Sequence, residues 1–392
     1  SVVPFEVGEG GHIVGFASYY PAEETTRAVR WNTSNEAQTL LLPIPGATGF
    51  GFINRAMAVN QAGDTVGVAF TESSNPAYLS DGVAVFWAAD SATPIVLPPL
   101  EMVDGTESST ARGINDAGLI VGTSSAAVTN EGSVDEEYVR LPVAWVDQQI
   151  YALDVGRPWD DDLYGSANEV AEDGRIVGTD GDRAILWNDY LAAPTFLDPI
   201  QSAYDTVDSE ARAINEDGWI VGEAQLDTPG FGVNRVGALW DPQGRGYGLT
   251  GLLTEEDQAQ WIIDDALDIN RSGWILVRGE SVSDGTTHSL LLRPAALAGD
   301  YNGDGFVSQA DLDLVLLNWG ETVVPAQWVA TDQFDGVQVS QNELDGVLLN
   351  WGNGTPPVAA IPEPASAVLL GLMAAGALPR RGRRCYDPDH AC

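Results

Sequence analysis

The chain has 392 residues, enough for two or more domains, and a formal charge of −39 from 57 acidic residues against 18 basic ones, all of them Arg. A surface this acidic repels phosphate backbones and anionic lipid headgroups, which argues against nucleic acid as a partner. Cys385 and Cys392 are the only cysteines, so the body of the chain has no disulfide and no cysteine metal site.

From the first residues onward a short phrase recurs: small-x-x-Ile-Asn-x-x-Gly-x-Ile-Val-Gly. It reads ARGINDAGLIVG from Ala111 to Gly122 and ARAINEDGWIVG from Ala211 to Gly222. Looser copies run from Phe5 to Gly15, Ala56 to Gly67, Ala167 to Gly178 and Ala266 to Val277. The turn glycines are Gly11, Gly63, Gly118, Gly174, Gly218 and Gly273, spaced 44 to 56 residues apart. The phrase predicts a tight β-hairpin. Asn closes an Asx-turn with its own side chain, and Gly supplies the left-handed residue that ends a type I turn with a G1 bulge.

After each hairpin comes a second phrase ending in Trp: Trp31, Trp87, Trp145, Trp187 and Trp240. A Leu-rich strand follows, so each unit carries about four strands. Six such units predict a six-bladed β-propeller over residues 1–294, with the Trp strand packing blade against blade. An irregular β-solenoid or sandwich is the alternative. The sixth unit departs by carrying Val277 for the last Gly and HSLLLRP for the Trp phrase. These repeats resemble the HAF extracellular repeats. The resemblance implies an exported bacterial protein and names no activity.

Residues 295–356 hold the strongest site motif. Asp300, Asn302 and Asp304 alternate, Gly305 follows, Phe306 offers its backbone carbonyl, Ser308 stands at the ninth place and Asp311 at the twelfth. This is EF-hand spacing, in which alternating side chains of a curled loop point hard oxygens at calcium. Leu312, Val315, Leu316 and Trp319 then recur at helical spacing and repeat 32 residues later as Leu344, Val347, Leu348 and Trp351. Two such loop-helix units resemble a type I dockerin, an α-helical calcium module. The second loop departs from the pattern: Asp332, Asp335, Ser340 and Glu343 form at most a weak second site, because Phe334 and Val337 stand where ligand and glycine belong. The resemblance implies a cohesin partner. The damaged loop argues against one, and a structural calcium module is the better account.

Residues 357–384 combine Pro362, Glu363 and Pro364 with an apolar run from Ala365 to Leu378 and a basic cluster of Arg380, Arg381, Arg383 and Arg384. The order is that of a short transmembrane helix held by arginines on the cytoplasmic side. It resembles a PEP-CTERM sorting signal, which implies processing by an exosortase-like enzyme, with the triplet as the recognition element. Residues 385–392 have no assigned role. The chain opens at Ser1 without a leader, and the expectation is that a secretory leader precedes it.

The three histidines, His12, His288 and His390, show no metal spacing and no triad pattern, and no phosphate-cradling loop is present. Acidic clusters such as Asp160–Asp162 read as solvated loops, although paired carboxylates leave glycoside hydrolysis open. Trp159, Trp219, Trp261 and Trp274 stand outside the repeated Trp places, with packing the better account for Trp219 and Trp274. The resulting expectation is an exported, non-catalytic cell-surface or matrix protein. It has a propeller platform, a calcium module and a membrane-tethered sorting tail. The alternative is a polysaccharide-binding or polysaccharide-degrading component docked through the module.

Overall fold

Each Asn-x-x-Gly phrase forms the hairpin its residues predict. In the computed structural model the six turn glycines have φ between 75° and 94°, the region open to glycine. Gly118 N–H bonds to the Asn115 carbonyl at 3.0 Å, and Asn115 Oδ1 accepts from Leu119 N–H at 3.0 Å. The same side-chain bond recurs at Asn60, Asn215 and Asn270. The structure describes most of residues 2–353. The longer undescribed stretches are 20–24, 33–36, 45–53, 71–81, 101–107, 129–136, 159–163 and 354–392, with shorter ones at 295–296, 304–305 and between 324 and 336.

Two compact units divide at Pro294. The first is a six-bladed propeller of antiparallel sheets. Five blades have four strands in sequence order, as in blade 3: Ser109–Ile114, Ile120–Val128, Glu137–Val146 and Gln149–Ala152. The expectation of four strands fails in blade 6, which has three: Trp261–Ile269, Ile275–Ser281 and Thr287–Leu292. Blade 1 takes all four of its own strands from the N-terminal segment, so the described strands are not exchanged between the first and last blades.

Three kinds of staple join neighbouring blades. The Trp of the third strand is fully buried in blades 2 to 5. Its indole N–H donates to a carbonyl of the preceding blade: Trp87 to Leu42 (3.1 Å), Trp145 to Pro98 (2.8 Å), Trp187 to Asp154 (2.6 Å) and Trp240 to Asp198 (2.9 Å). The hairpin Asn reaches forward. Asn60 Nδ2 donates to the Asn115 carbonyl (3.4 Å), Asn115 to Ala171 (3.1 Å) and Asn215 to Asn270 (3.3 Å).

Blades 1 and 4 carry Gly8 and Ala171 at that place and have no such side chain. There a glutamate two residues earlier makes the forward bond. Glu6 Oε1 accepts from Val59 N–H at 3.3 Å and Glu169 Oε2 from Ile214 N–H at 3.1 Å.

The inner strand of every blade is kinked by a β-bulge. In blade 5 the register steps from Ala211 to Ala213, leaving Arg212 as the extra residue. The same step leaves out Phe5, Met57, Arg112, Asn168 and Leu267 in the other blades. The kink explains the last Gly of the phrase. A Cβ at Gly15, Gly67, Gly122, Gly178 or Gly222 would lie 1.9 to 2.1 Å from an inner-strand carbonyl oxygen. Only glycine allows that approach.

The second unit pairs two helices, Gln309–Leu317 and Gln341–Leu349, each opened by a capping box: Ser308 with Asp311, and Ser340 with Glu343. Val307 exchanges backbone bonds with Gly352 and Asn353, and Val339 does so with Gly320 and Glu321. The bonds relate the halves by a 32-residue shift. The core is Tyr301, Val307, Val315, Trp328, Val339 and Val347. The expected apolar helix face is only partly buried. Val315 and Val347 point inward, whereas Leu316, Trp319, Leu348 and Trp351 are exposed.

Candidate functional site: the bulge face of the propeller

A bulge turns an extra side chain out of the pleat and is a common device beside binding sites. Here it produces a ring of six side chains of unequal character. Blades 6, 1 and 2 present Leu267, Phe5 and Met57, with Phe5 packed on Phe16 at 5.4 Å between centroids. Blades 3, 4 and 5 present Arg112, Asn168 and Arg212. The polar half opens into a cleft of roughly 250 Å³, whose walls include Arg112 and Arg140 of blade 3, Ser166 and Thr179 of blade 4, and Asp208 and Glu210 of blade 5.

One wall of the cleft is a fixed lattice of charges. Arg212 lies 3.5 Å from Glu210, 3.2 Å from Glu223 and 3.1 Å from Asp265. The contact to Asp265 is close but poorly aligned for a hydrogen bond, so charge holds it. Glu223 also meets Arg235 at 3.2 Å, and Arg278 pairs with Asp264 at 3.1 Å. Asn168 Nδ2 donates to Glu210 Oε1 at 2.9 Å, and Gln225 holds Asp208 at 3.0 Å. Burial pushes the Asp265 carboxyl up to about 6 against the pull of Arg212 and Arg278. Burial and then the charges of Asp182, Glu223 and Glu210 raise Asp208. The ion pairs and the Asn168 and Gln225 bonds hold these side chains in place, so the wall is preorganised.

A second set of carboxylates converges from the inner strands: Glu6, Glu169 and Asp268. Burial drives Glu6 up to about 8 and Glu169 well above the carboxylate range. The charge of Asp268 raises both. Glu6 and Glu169 are the interblade staples described above, which gives them a structural task.

In the first loop, Asp300 and Asp311 are buried. Asp311 Oδ1 accepts from Tyr301 N–H (2.8 Å) and Asn302 N–H (3.1 Å), and Oδ2 accepts from Ser308 N–H (2.8 Å). Asp300 Oδ1 accepts from Gly303 N–H at 2.8 Å. Two buried carboxylates in one loop suit a cation, and the backbone bonds fix the Asp311 carboxylate in place. Among the described residues no three ligating side chains stand together. Asp304 lies outside the described residues, as do Asp332 and Asp335. Glu343 caps its helix through Ser340.

Pro362–Pro364 and the arginines Arg380, Arg381, Arg383 and Arg384 also lie outside the described residues, and none of the described helices is long and apolar enough to cross a membrane. His288 Nε2 sits 2.8 Å from Thr286 Oγ1 and packs edge-on against Trp261. Trp219 and Trp274 are 37% and 42% exposed, more open than the packing role expected for them. Trp159 is not among the described residues.

Sequence reasoning missed the bulge residues. Their signal was the glycine inside the second strand, which marks a close backbone approach.

Residues 22–290, most of the propeller, match the sequence profile of the family described as "Protein of unknown function (DUF3466)". The chain belongs to this family. No curated protein matches it. Among solved structures it is similar to the β-propeller domain of the Trilobed protease from Pyrococcus furiosus, described as having an open velcro topology. The identity is 12% and the TM-score 0.43, covering 73% of this chain and 82% of that one. It is also similar to the acylaminoacyl peptidase of Pyrococcus horikoshii, at 14% identity and TM-score 0.40, covering 74% of this chain and 43% of that one. A Lactobacillus plantarum protein is similar at 13% identity and TM-score 0.33, covering 77% and 86%.

Proposed function

We infer that the chain is a non-catalytic binding protein of the cell surface or extracellular matrix, with the polar half of the bulge face as its binding platform. The observation that carries this reading is the cleft between blades 3 and 5, where donors and acceptors are held by an ion-pair lattice on a stapled scaffold. That arrangement recognises a polar ligand without needing a nucleophile or a proton shuttle.

The HAF-like repeats, the dockerin-like spacing and the PEP-CTERM-like tail support export and sorting by an exosortase-like enzyme. Calcium at the first loop would stabilise the second unit. Incubating the full chain with a panel of extracellular polysaccharides and sugars tests the reading. Saturable binding without release of reducing ends is expected. Turnover that is lost in Glu210→Gln contradicts it.

A further inference from the structure

The propeller repeat contains an internal comparison for the cleft. Gly122 and Gly222 hold the same place in blades 3 and 5, so the two sheets align residue by residue. Arg112 corresponds to Arg212, each the bulge residue. Arg140 corresponds to Arg235, because each pairs with the residue three beyond the glycine, Ser125 or Gln225.

In blade 5 the two arginines are neutralised. Glu210, Glu223 and, from the next blade, Asp265 surround Arg212, and Glu223 bridges it to Arg235 at 3.2 Å on each side. The corresponding positions around blade 3 are Thr110, Thr123 and, from the next blade, Ser166. All three are buried hydroxyl residues. The cations are therefore kept while every matching anion is replaced. Among the described residues neither Arg112 nor Arg140 forms an ion pair, and Arg112 Nε is buried without an acceptor. Arg112 feels the opposite charge of Glu210 and the like charges of Arg140 and Arg212, and it lines one cleft with Arg140 and Glu210. Two guanidinium groups that line one cleft without a carboxylate in ion-pair contact favour an anion that joins them.

We propose that this part of the cleft binds a small hydroxylated carboxylate, whose carboxylate lies between Arg112 and Arg140 as that of Glu223 lies between Arg212 and Arg235. Three observations define the class. A carboxylate fits because the same molecule fills the matching place with one, and because the guanidinium fork pairs with it bidentately. Hydroxyl groups fit because Ser166, Thr179, Asp208, Glu210 and Glu223 offer acceptors and donors along the other walls. A single sugar-sized unit fits because roughly 250 Å³ falls below the ~300 Å³ lower bound of drug-sized pockets. The overall charge of −39 disfavours a polyanion and leaves a mono-acid. A hexuronate has all of these properties. The proposal rests on the propeller being a binding platform and names its ligand class.

The test is calorimetric titration of the full chain with galacturonate and with galactose, which has a hydroxymethyl group in place of the carboxylate. Galacturonate is expected to bind about 10- to 100-fold more tightly, the range of a charge-assisted pair. Arg112→Gln and Arg140→Gln each weaken galacturonate by at least about tenfold.

Thr123→Glu restores the carboxylate that blade 5 carries at this place. It is expected to abolish galacturonate binding while the melting temperature holds or rises. The arginine variants decide the matter if Thr123→Glu fails to fold. Equal affinity for galactose, no galacturonate binding by the folded chain, or undiminished binding in the arginine variants overturns the proposal. A neutral glycan bound equally by wild type and Thr123→Glu, without galacturonate binding, removes this assignment and leaves the platform reading standing.

Discussion

Glu6 shows how one side chain takes over the work of another. Gly8 cannot make the forward bond that Asn60 and Asn115 make, and Glu6 makes a different one from two residues earlier. The cost is a carboxyl raised to about 8 by burial, with the charge of Asp268 adding to it.

The folded pKa lies above the ordinary value of 4.5, so the folded state holds a proton that the unfolded state releases. The stability from this group is complete below pH 4.5 and is lost as pH rises towards 8. Glu169 and Asp268, the other carboxylates of the inner-strand set, are raised in the same direction. Glu6→Gln is therefore expected to melt with wild type at pH 4.5 and above it at pH 8. Thermal unfolding across that range checks this, and equal slopes in the two proteins contradict it. None of this was legible in the sequence. Glu6 and Glu169 read as two acidic residues among 57, and their common role appears only when the neighbouring blade is in place.

At the scale of elements, the hairpin and the Trp strand were legible because each is a local device with its own chemistry. Asn-x-x-Gly forces one turn, and a Trp at a fixed place in four consecutive blades finds one carbonyl in the blade before it. Asn115→Ala removes both the turn bond to Leu119 and the staple to Ala171. A loss of about 2 kcal/mol is expected, seen as a fall of a few degrees in melting temperature. The exposed Asn234→Ala, whose bond to the Gly232 carbonyl is local, serves as the control at within ~0.5 kcal/mol. Equal effects of the two substitutions would remove the interblade role. Trp187→Phe, which leaves the Asp154 carbonyl without its donor, is expected to cost ~1–3 kcal/mol. Denaturant midpoints measure it.

The bulge was not legible as an element. Its extra residue varies from Phe5 to Arg112 to Leu267, and the glycine opposite holds in blades 1 to 5 but is Val277 in blade 6. Four strands were expected of every blade, and blade 6 stops at three, its chain leaving at Pro294 for the second unit.

At the scale of the whole molecule, the propeller gives one ring two halves of different chemistry by varying a single repeated position. The apolar half, with Leu267, Phe5 and Met57, and the polar half, with Arg112, Asn168 and Arg212, share one backbone. The second unit has its own test. Calcium added to the full chain is expected to bind at one site and raise the melting temperature of that unit, and Asp304→Ala to abolish both effects. Binding without heat or thermal shift, or an unchanged response in Asp304→Ala, contradicts the calcium reading.

The central claim is that blade 3 presents cations whose anion comes from outside. A ligand that binds only the folded state raises the melting temperature by mass action. The most direct measurement is the melting temperature of wild type and Thr123→Glu with increasing galacturonate or galactose. The account predicts a concentration-dependent rise for wild type with galacturonate alone. The same rise in both proteins, or with both sugars, would contradict it.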